Sequence, residues 1–485
     1  MPTSSFRAIA ILLPLYVCHA FGLTAANAAD GPPNIVFFLV DDMGWSDPNC
    51  YGNSFHETPN INRLAKQGMR FTNAYAACPV CSPTRASIMT GKYPATLNLT
   101  DFIPGHWRPW EKLVVPKMNL ALPHAEITFA EALAQGGYVS GSFGKWHLGG
   151  STHNPDSQGF DEFVVTGGRH FAPNFRFTAQ PQLKGDDRPR EREYLGEFLT
   201  RRAERFMSDH RDERFVLYLS HYAVHIPLEA KQKLVEKYEK KQPKPAGRIN
   251  NPTYAAMVEH IDQSLGRIVQ TLDELKLADN TLLIFFSDNG GLLKRFDGKG
   301  TEVMLNTPLR AEKGTLYEGG IREPLIARWP GKIAAGSECT EVVSSVDFVP
   351  TMIDVAGLKK KVTHNVDGVS LLPLLTQSSS IDRDAIFWHY PHYHHTSPAG
   401  AVRSGDYKLI EYFDDGRLEL YNLTKDIGET KNLADKMPEK AKTMHAKLVT
   451  WRKSVGARMP TKNADYDPEK SHLWKRRPRP TPKKK

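Results

Sequence analysis

Asn34-Ile35-Val36-Phe37-Phe38-Leu39-Val40 is an almost unbroken apolar run that stops abruptly at Asp41-Asp42. Lacking polar alternation, it predicts a strand buried on both faces, as in an α/β sheet covered by helices. Adjacent acids at its end repel each other unless a cation lies between them, and ligand sites in open α/β sheets lie at the carboxyl ends of strands. A solvated loop accounts for one such pair. The pattern then recurs: Thr281-Leu282-Leu283-Ile284-Phe285-Phe286-Ser287 is a second buried run, and it ends in Asp288-Asn289-Gly290-Gly291. Two strands that each deliver paired oxygen ligands to one sheet edge point to a hard divalent cation.

Other strands bring further chemistry. Tyr138 to Phe143 leads into Gly144-Lys145-Trp146-His147, where spacing by two in an extended chain sets a fixed cation and a proton carrier on one side. Phe215 to Ser220 precedes His221 and His225, the latter in a His225-Ile226-Pro227 turn; His221 reads as an ordinary hydrogen-bonded residue. Lys313-Gly314 sits in a glycine-rich loop before the strand Leu325 to Trp329, and Phe71 to Ala77 reads as extended. Helices are predicted from Thr58-Pro59 to Gly68, after the capping box Thr128-Phe129-Ala130-Glu131, and along Val258, Ile261, Leu265, Ile268, Leu272 and Leu275.

Cys81-Ser82-Pro83-Thr84-Arg85 opens a short helix, with Ser82 suited to the N-cap, Pro83 to the first helical position and Gly91 to the closing left-handed residue. Cys81 thus stands at a helix N-terminus, where free N–H groups favour an anion and Arg85 adds a cation. Cys78-Pro79-Val80-Cys81 is also a Cys-x-x-Cys. A redox pair has no need of the Pro and Arg that follow, and a structural zinc lacks its second ligand pair, since Cys50 and Cys339 stand alone.

Taken in order, Asp41-Asp42, Cys81-x-Pro83-x-Arg85, Gly144-Lys145-x-His147, His225-x-Pro227, Asp288-Asn289 and Lys313-Gly314 resemble the motifs of the type I sulfatases of the alkaline phosphatase superfamily. Tyr407-Lys408-Leu409 and Leu420-Tyr421-Asn422-Leu423, followed by Glu429 and Asn432, resemble that family's C-terminal domain. The resemblance implies an α/β fold: a large mixed β-sheet flanked by helices, alkaline phosphatase-like, with a smaller C-terminal α+β domain built on a short antiparallel sheet. It implies that a formylglycine-generating enzyme oxidises Cys81 to formylglycine. Asp41, Asp42, Asp288 and Asn289, completed by the modified Cys81, are then the ligands of one calcium ion, placed ahead of magnesium. Arg85, Lys145, His147, His225 and Lys313 surround the nucleophile and the sulfate. In the implied reaction the hydrated aldehyde attacks sulfur in line, His225 protonates the departing alcohol, and His147 assists the deprotonation that expels sulfate. An unmodified thiol is a poor ligand for a hard cation, which gives the oxidation a chemical reason.

Aromatic and basic segments lie outside these motifs: Gly105 to Trp110, Arg169-His170-Phe171 and Trp388 to His395. They are expected to form a sugar-binding wall, although Trp388 reads equally well as core. Substrate contacts are assigned to Arg85, Lys145, His225, Lys313 and His392. The expected substrate is a sulfated carbohydrate, a galactan or glycosaminoglycan fragment, with an aryl sulfate as an artificial one. A phosphate or phosphonate ester hydrolase of the same superfamily is the alternative, as is a silent carbohydrate-binding homologue with Cys81 unmodified.

Length and composition set the frame. The 485 residues, 40% hydrophobic and 24% charged, suit a soluble globular chain of one large domain and a smaller one. Of the net charge of +9, seven positive charges lie within residues 474–485, leaving +2 for the rest, so the body is not a nucleic-acid surface. Arg7, the apolar run Ala8 to Val17 and Ala26-Asn27-Ala28 predict a signal peptide over residues 1–28 and hence export, to the periplasm or beyond, without a transmembrane anchor. The remaining organisation is expected as a catalytic domain over 29–376, a C-terminal α+β subdomain over 377–460 after the polar Gln377-Ser378-Ser379-Ser380, and a basic, disordered tail over 461–485.

Overall fold

The computed structural model describes residue 1 and residues 31–150, 152–179, 183, 185–295, 300–362, 365–470, 473 and 475–476. The signal-peptide expectation falls outside these residues. The main sheet has, among the described residues, the strand order Ser337–Cys339, Met69–Phe71, Leu325–Arg328, Thr281–Ser287, Asn34–Val40, Phe215–Ser220, Val139–Gly144, Glu162–Gly167 and Arg176–Ala179. Asn34–Val40 lies parallel to both Thr281–Ser287 and Phe215–Ser220, while Leu325–Arg328 runs antiparallel, so the sheet is mixed as expected. The expected extended run from Phe71 is broken into Met69–Phe71 and Ala74–Tyr75.

The unbroken apolar pattern has a direct cause. Ile35, Phe37 and Leu39 enter one core with Ala86, Ile88, Phe129, Phe348 and Met352; Val36, Phe38 and Val40 enter the other with Ile61, Leu64, Phe198, Tyr254, Val258 and Leu265. Helices therefore cover both faces: Cys81–Thr90, Phe129–Ala134 and Phe348–Val355 on one, Pro59–Gln67, Leu195–Asp209 and Pro252–Glu274 on the other. Parallel pairing carries the consequence for function. Asn34–Val40, Thr281–Ser287, Phe215–Ser220 and Val139–Gly144 all end at one edge of the sheet.

An antiparallel sheet of Ile386–Tyr390, Ala399–Ser404, Tyr407–Tyr412 and Leu418–Asn422 follows. One face packs Val402, Leu409 and Leu420 under Met444 and Leu448 of the helix Pro438–Ser454; the other packs Trp388, Ile410 and Tyr412 on Tyr75, Val80 and Ile321 of the main body. Trp388 is core, its Nε1 donating to the Ala76 carbonyl at 2.8 Å. Among the described residues, no helix is long and apolar enough to cross a membrane.

Two expectations are corrected. The helix starts at Cys81 itself with Val80 as N-cap, and Ser82 is inside it because its hydroxyl accepts from the Ile103 N–H at 3.1 Å instead of capping; Gly91 does close it, at φ 69°. Nor is 461–485 disordered throughout. Thr461–Lys462 pairs with Leu113–Val114, Lys475–Arg476 pairs with His106–Trp107, and Asn463 Nδ2 donates to the carbonyls of Pro109 and Glu111 at 2.7 and 2.6 Å.

Candidate active site

The strand ends converge on Cys81. Its sulfur lies 3.5 Å from Asp41 Oδ1, 3.9 Å from Asp42 Oδ1 and 3.4 Å from Lys313 Nζ, and it is 2% exposed. Asp42 adopts φ 63°, a left-handed conformation unfavourable for a residue with a side chain, and its N–H is held by Asp288 Oδ1 at 3.1 Å. Asn289 Nδ2 donates to Asp42 Oδ1 at 2.7 Å, which locks the two acidic strand ends together. Lys313 Nζ spans both Asp42 oxygens at 2.6 and 2.7 Å, and Lys145 Nζ reaches Asp41 Oδ2 at 2.5 Å.

Arg85 is brought into the cluster but faces inward. Fully buried, it gives Nε to Asp288 Oδ2 at 2.8 Å, and Nη1 to Ser220 Oγ at 2.6 Å and to the Lys145 carbonyl at 2.8 Å. Its guanidinium thereby fixes Asp288 and the end of the Phe215–Ser220 strand. Ser220, which sequence reasoning missed, joins the cluster through its bond to Arg85, and its place as the last polar residue of a buried strand marks it.

His225 stands with Nε2 3.6 Å from Asp42 Oδ2 and Nδ1 2.6 Å from its neighbour's carbonyl at Ile226. His147, at φ 59°, places Nε2 2.7 Å from the Ile103 carbonyl. His221 is the ordinary buried histidine that its sequence context suggests, 2.9 Å from Ser264 Oγ. His392 is not brought into the cluster: it is 3% exposed, bonds Thr100 Oγ1 at 2.8 Å and packs on the Tyr390 ring.

Burial dominates the electrostatics. It pushes the Cys81 thiol up to about 12 against the pull of Lys145 and Lys313, so a cysteine here stays protonated near neutrality. Burial likewise lowers His225 to about 3, with Asp42 opposing, and holds His147 well below the usual range with Lys145 adding to the effect. Asp288 is raised to about 6 by burial and by Asp41. For Asp42 burial also acts upward, but Lys313, His225 and Lys145 outweigh it and hold the carboxyl well below the carboxylate range.

The residues fit a hard cation. Ligand atoms of Asp41, Asp42, Cys81 and His225 lie within 4.8 Å of one another, and the buried Asn289 Oδ1 has no hydrogen-bond partner beside them. An orphaned amide oxygen among carboxylates is a donor awaiting an electropositive partner.

Comparison with known proteins agrees with this geometry. The sulfatase family profile matches residues 33–358, and a profile described as N-sulphoglucosamine sulphohydrolase, C-terminal, matches residues 311–454. N-acetylgalactosamine-6-sulfatase of Rattus norvegicus is 34% identical over 427 residues, covering 84% of this chain and 76% of the relative. Arylsulfatase A of Homo sapiens is 32% identical over 468 residues, covering 85% of each. Among solved structures, Ps i-CgsB in complex with k-i-k-neocarrahexaose superposes with a TM-score of 0.73 at 27% identity, over 90% of this chain and 94% of that one.

Proposed function

The chain belongs to the sulfatase family and is a sulfuric ester hydrolase, and from that premise we propose that it cleaves sulfate from a carbohydrate, a galactan or glycosaminoglycan fragment, outside the cytoplasm. The proposal includes conversion of Cys81 to formylglycine by a formylglycine-generating enzyme, and one calcium ion held by Asp41, Asp42, Asp288 and Asn289 together with the modified residue. The observation that carries it is the meeting of Cys81 with Asp41, Asp42 and Lys313 at 3.4 to 3.9 Å, in a place where the thiol itself is inert. The formylglycine hydrate would supply an oxygen nucleophile and calcium a Lewis acid.

This chain's side chains do the rest. Lys145 and Lys313 set two ammonium groups beside the Cys81 position, where charge develops on a sulfuryl oxygen. Arg85 acts one step back, as the positioning residue for Asp288 and Ser220. His225, 23% exposed at its side chain and 3.6 Å from Asp42 Oδ2, serves the leaving alcohol; His147, held by Ile103, serves the other proton transfer. Support for a sugar substrate comes from the relatives, one named for N-acetylgalactosamine 6-sulfate and one solved with a neocarrahexaose.

The test is mass spectrometry of the Cys81 peptide from protein produced with a formylglycine-generating enzyme, followed by sulfate release from a panel of sulfated saccharides and phenols and from matching phosphate esters. The reading expects an aldehyde at Cys81 and release of sulfate in preference to phosphate. Aldehyde-bearing, calcium-loaded protein that frees no sulfate from any of them refutes it.

A further inference from the structure

Beside the Lys313-Gly314 turn, where Gly314 abuts His394, lies a cleft of about 410 Å³, lined by Arg108, Glu111, Tyr393, His394, Asp414 and Tyr466. Its size falls within the range of small-molecule sites. Three segments remote in sequence build it. The loop after Gly105 and the loop after Tyr390 meet where the His106 and His394 rings lie 4.6 Å apart and the Leu113 N–H donates to the Tyr393 hydroxyl at 3.1 Å. The third wall is the segment expected to be disordered: the Asp467 N–H donates to the Trp110 carbonyl at 2.9 Å, and Tyr466 stays 43% exposed.

The cleft is tied directly to the catalytic turn. Gly314, at φ 80°, lets the backbone pass so close to His394 that an added Cβ would lie 2.0 Å from its Nδ1. His395 Nδ1 is 3.2 Å from Glu312 Oε1 on the other flank of Lys313. Gly314, which abuts His394 of the cleft wall, directly follows the lysine whose ammonium faces Cys81.

Its chemistry is that of a sugar site. Asp414 offers carboxylate oxygens to hydroxyl groups, and Ser397 already uses one, donating to Asp414 Oδ2 at 2.8 Å. Arg108 is oriented by an ion pair with Glu111 and lies 5.5 Å above the Tyr393 ring, so its guanidinium plane is fixed rather than mobile. The exposed Tyr466 ring gives an apolar face of pyranose dimensions, and Lys112, exposed at the rim, adds a cation for a further acidic substituent.

We propose that this cleft is the subsite for the sugar unit next to the sulfated one, so that the enzyme reads a stretch of carbohydrate chain rather than an isolated sulfate ester. The inference rests on the carbohydrate sulfatase reading above. It is tested on the formylglycine-bearing enzyme with three substrates: 4-nitrophenyl sulfate, sulfated monosaccharides, and tetrasaccharides from carrageenan and chondroitin sulfate. The wild type should prefer a tetrasaccharide to its monosaccharide by tenfold or more in kcat/KM. Arg108→Ala and Tyr466→Ala should each raise KM for the tetrasaccharide about tenfold and lower the tetrasaccharide-to-aryl ratio of kcat/KM by a like factor. Tyr466 is surface-exposed, so its variant folds even where Arg108→Ala does not. Equal treatment of mono- and tetrasaccharide, an unchanged ratio in Tyr466→Ala, or turnover of the aryl sulfate with no saccharide desulfated overturns the inference. Loss of sulfate release from all three substrates in the wild type instead refutes the sulfatase reading itself.

Discussion

Lys408 is a fully buried ammonium at the junction of the C-terminal sheet with the main body, and replacing it with methionine keeps the aliphatic stem while deleting the charge. Its Nζ donates to Glu318 Oε1 at 2.8 Å and to the Leu316 carbonyl at 3.0 Å, and lies 2.7 Å from Glu429 Oε1. Glu318 retains other partners, Arg322 at 3.2 Å and the Tyr75 hydroxyl at 2.7 Å. Glu429 is the carboxylate stranded by the change, because what its second oxygen keeps is a neutral donor, the Glu318 N–H at 2.7 Å. Breaking one side of a buried pair costs about 3–5 kcal/mol, and the hydrogen bonds to charged groups lost here are of the same order. The expected loss for Lys408→Met is therefore about 3–5 kcal/mol, read as a drop in the urea midpoint. Hydrogen exchange should locate the loss in the strands Ala399–Ser404 and Tyr407–Tyr412. The double variant Lys408→Met/Glu429→Gln, which removes the stranded charge, should recover more than half of it. A single variant that loses less than about 1 kcal/mol, or a double variant no better than the single, refutes the claim that charge pairing holds this junction.

Three further outcomes follow from the site. Chelation should abolish sulfate release, and calcium should restore it better than magnesium because the proposed ligands Asp41, Asp42, Asp288 and Asn289 offer hard oxygens in number, which suits the larger ion; full activity after exhaustive chelation contradicts the ligand assignment. Gly314→Ala should destabilise the Lys313 turn by about 1–3 kcal/mol and cut kcat, since φ 80° and contact with His394 both oppose a Cβ, and an unchanged kcat and melting temperature would count against that packing. His225→Ala should lose roughly 10²-fold or more on sugar sulfates and far less on activated aryl sulfates, whereas equal losses would deny His225 the role of leaving-group acid.

Much of this architecture is legible in the amino-acid order alone, for identifiable reasons. Asn34–Val40 and Thr281–Ser287 are readable because burial on both faces leaves no polar alternation, and the acids that follow mark their carboxyl ends. The strand Ala399–Ser404 is not: its small residues and Gly400 form no apolar run, and it exists because Ile386–Tyr390 and Tyr407–Tyr412 pair on either side of it. The helix start at Cys81 differs by two positions from the sequence expectation because Ser82 is claimed by Ile103, a partner 21 residues away that local propensity does not include. The inward turn of Arg85 is hidden for the same reason, as it answers to Asp288 and Ser220. His392 is drawn into the expected sugar wall by its neighbours in sequence, though Thr100 holds it in the core.

The segment after residue 460 shows the limit most clearly and can be tested on its own. Its composition is that of a solvated end, and its ordering comes from two-residue strand pairs and side chain to backbone bonds, which leave no periodic trace. Asn463 is the anchor: its side-chain amide joins the Pro109 and Glu111 carbonyls, and its N–H joins the Lys112 carbonyl at 3.0 Å. Asn463→Ala deletes two of these three bonds at a half-exposed place, where each contributes about 0.5–1.5 kcal/mol. A local loss of about 1–3 kcal/mol against global stability that stays level should speed amide exchange across Tyr466 and Asp467 by roughly 5- to 150-fold, while the strand Asn34–Val40 exchanges as before. If exchange at those amides is unchanged, the arm is held by something other than Asn463, and the third wall of the cleft does not depend on the residue that fastens it here.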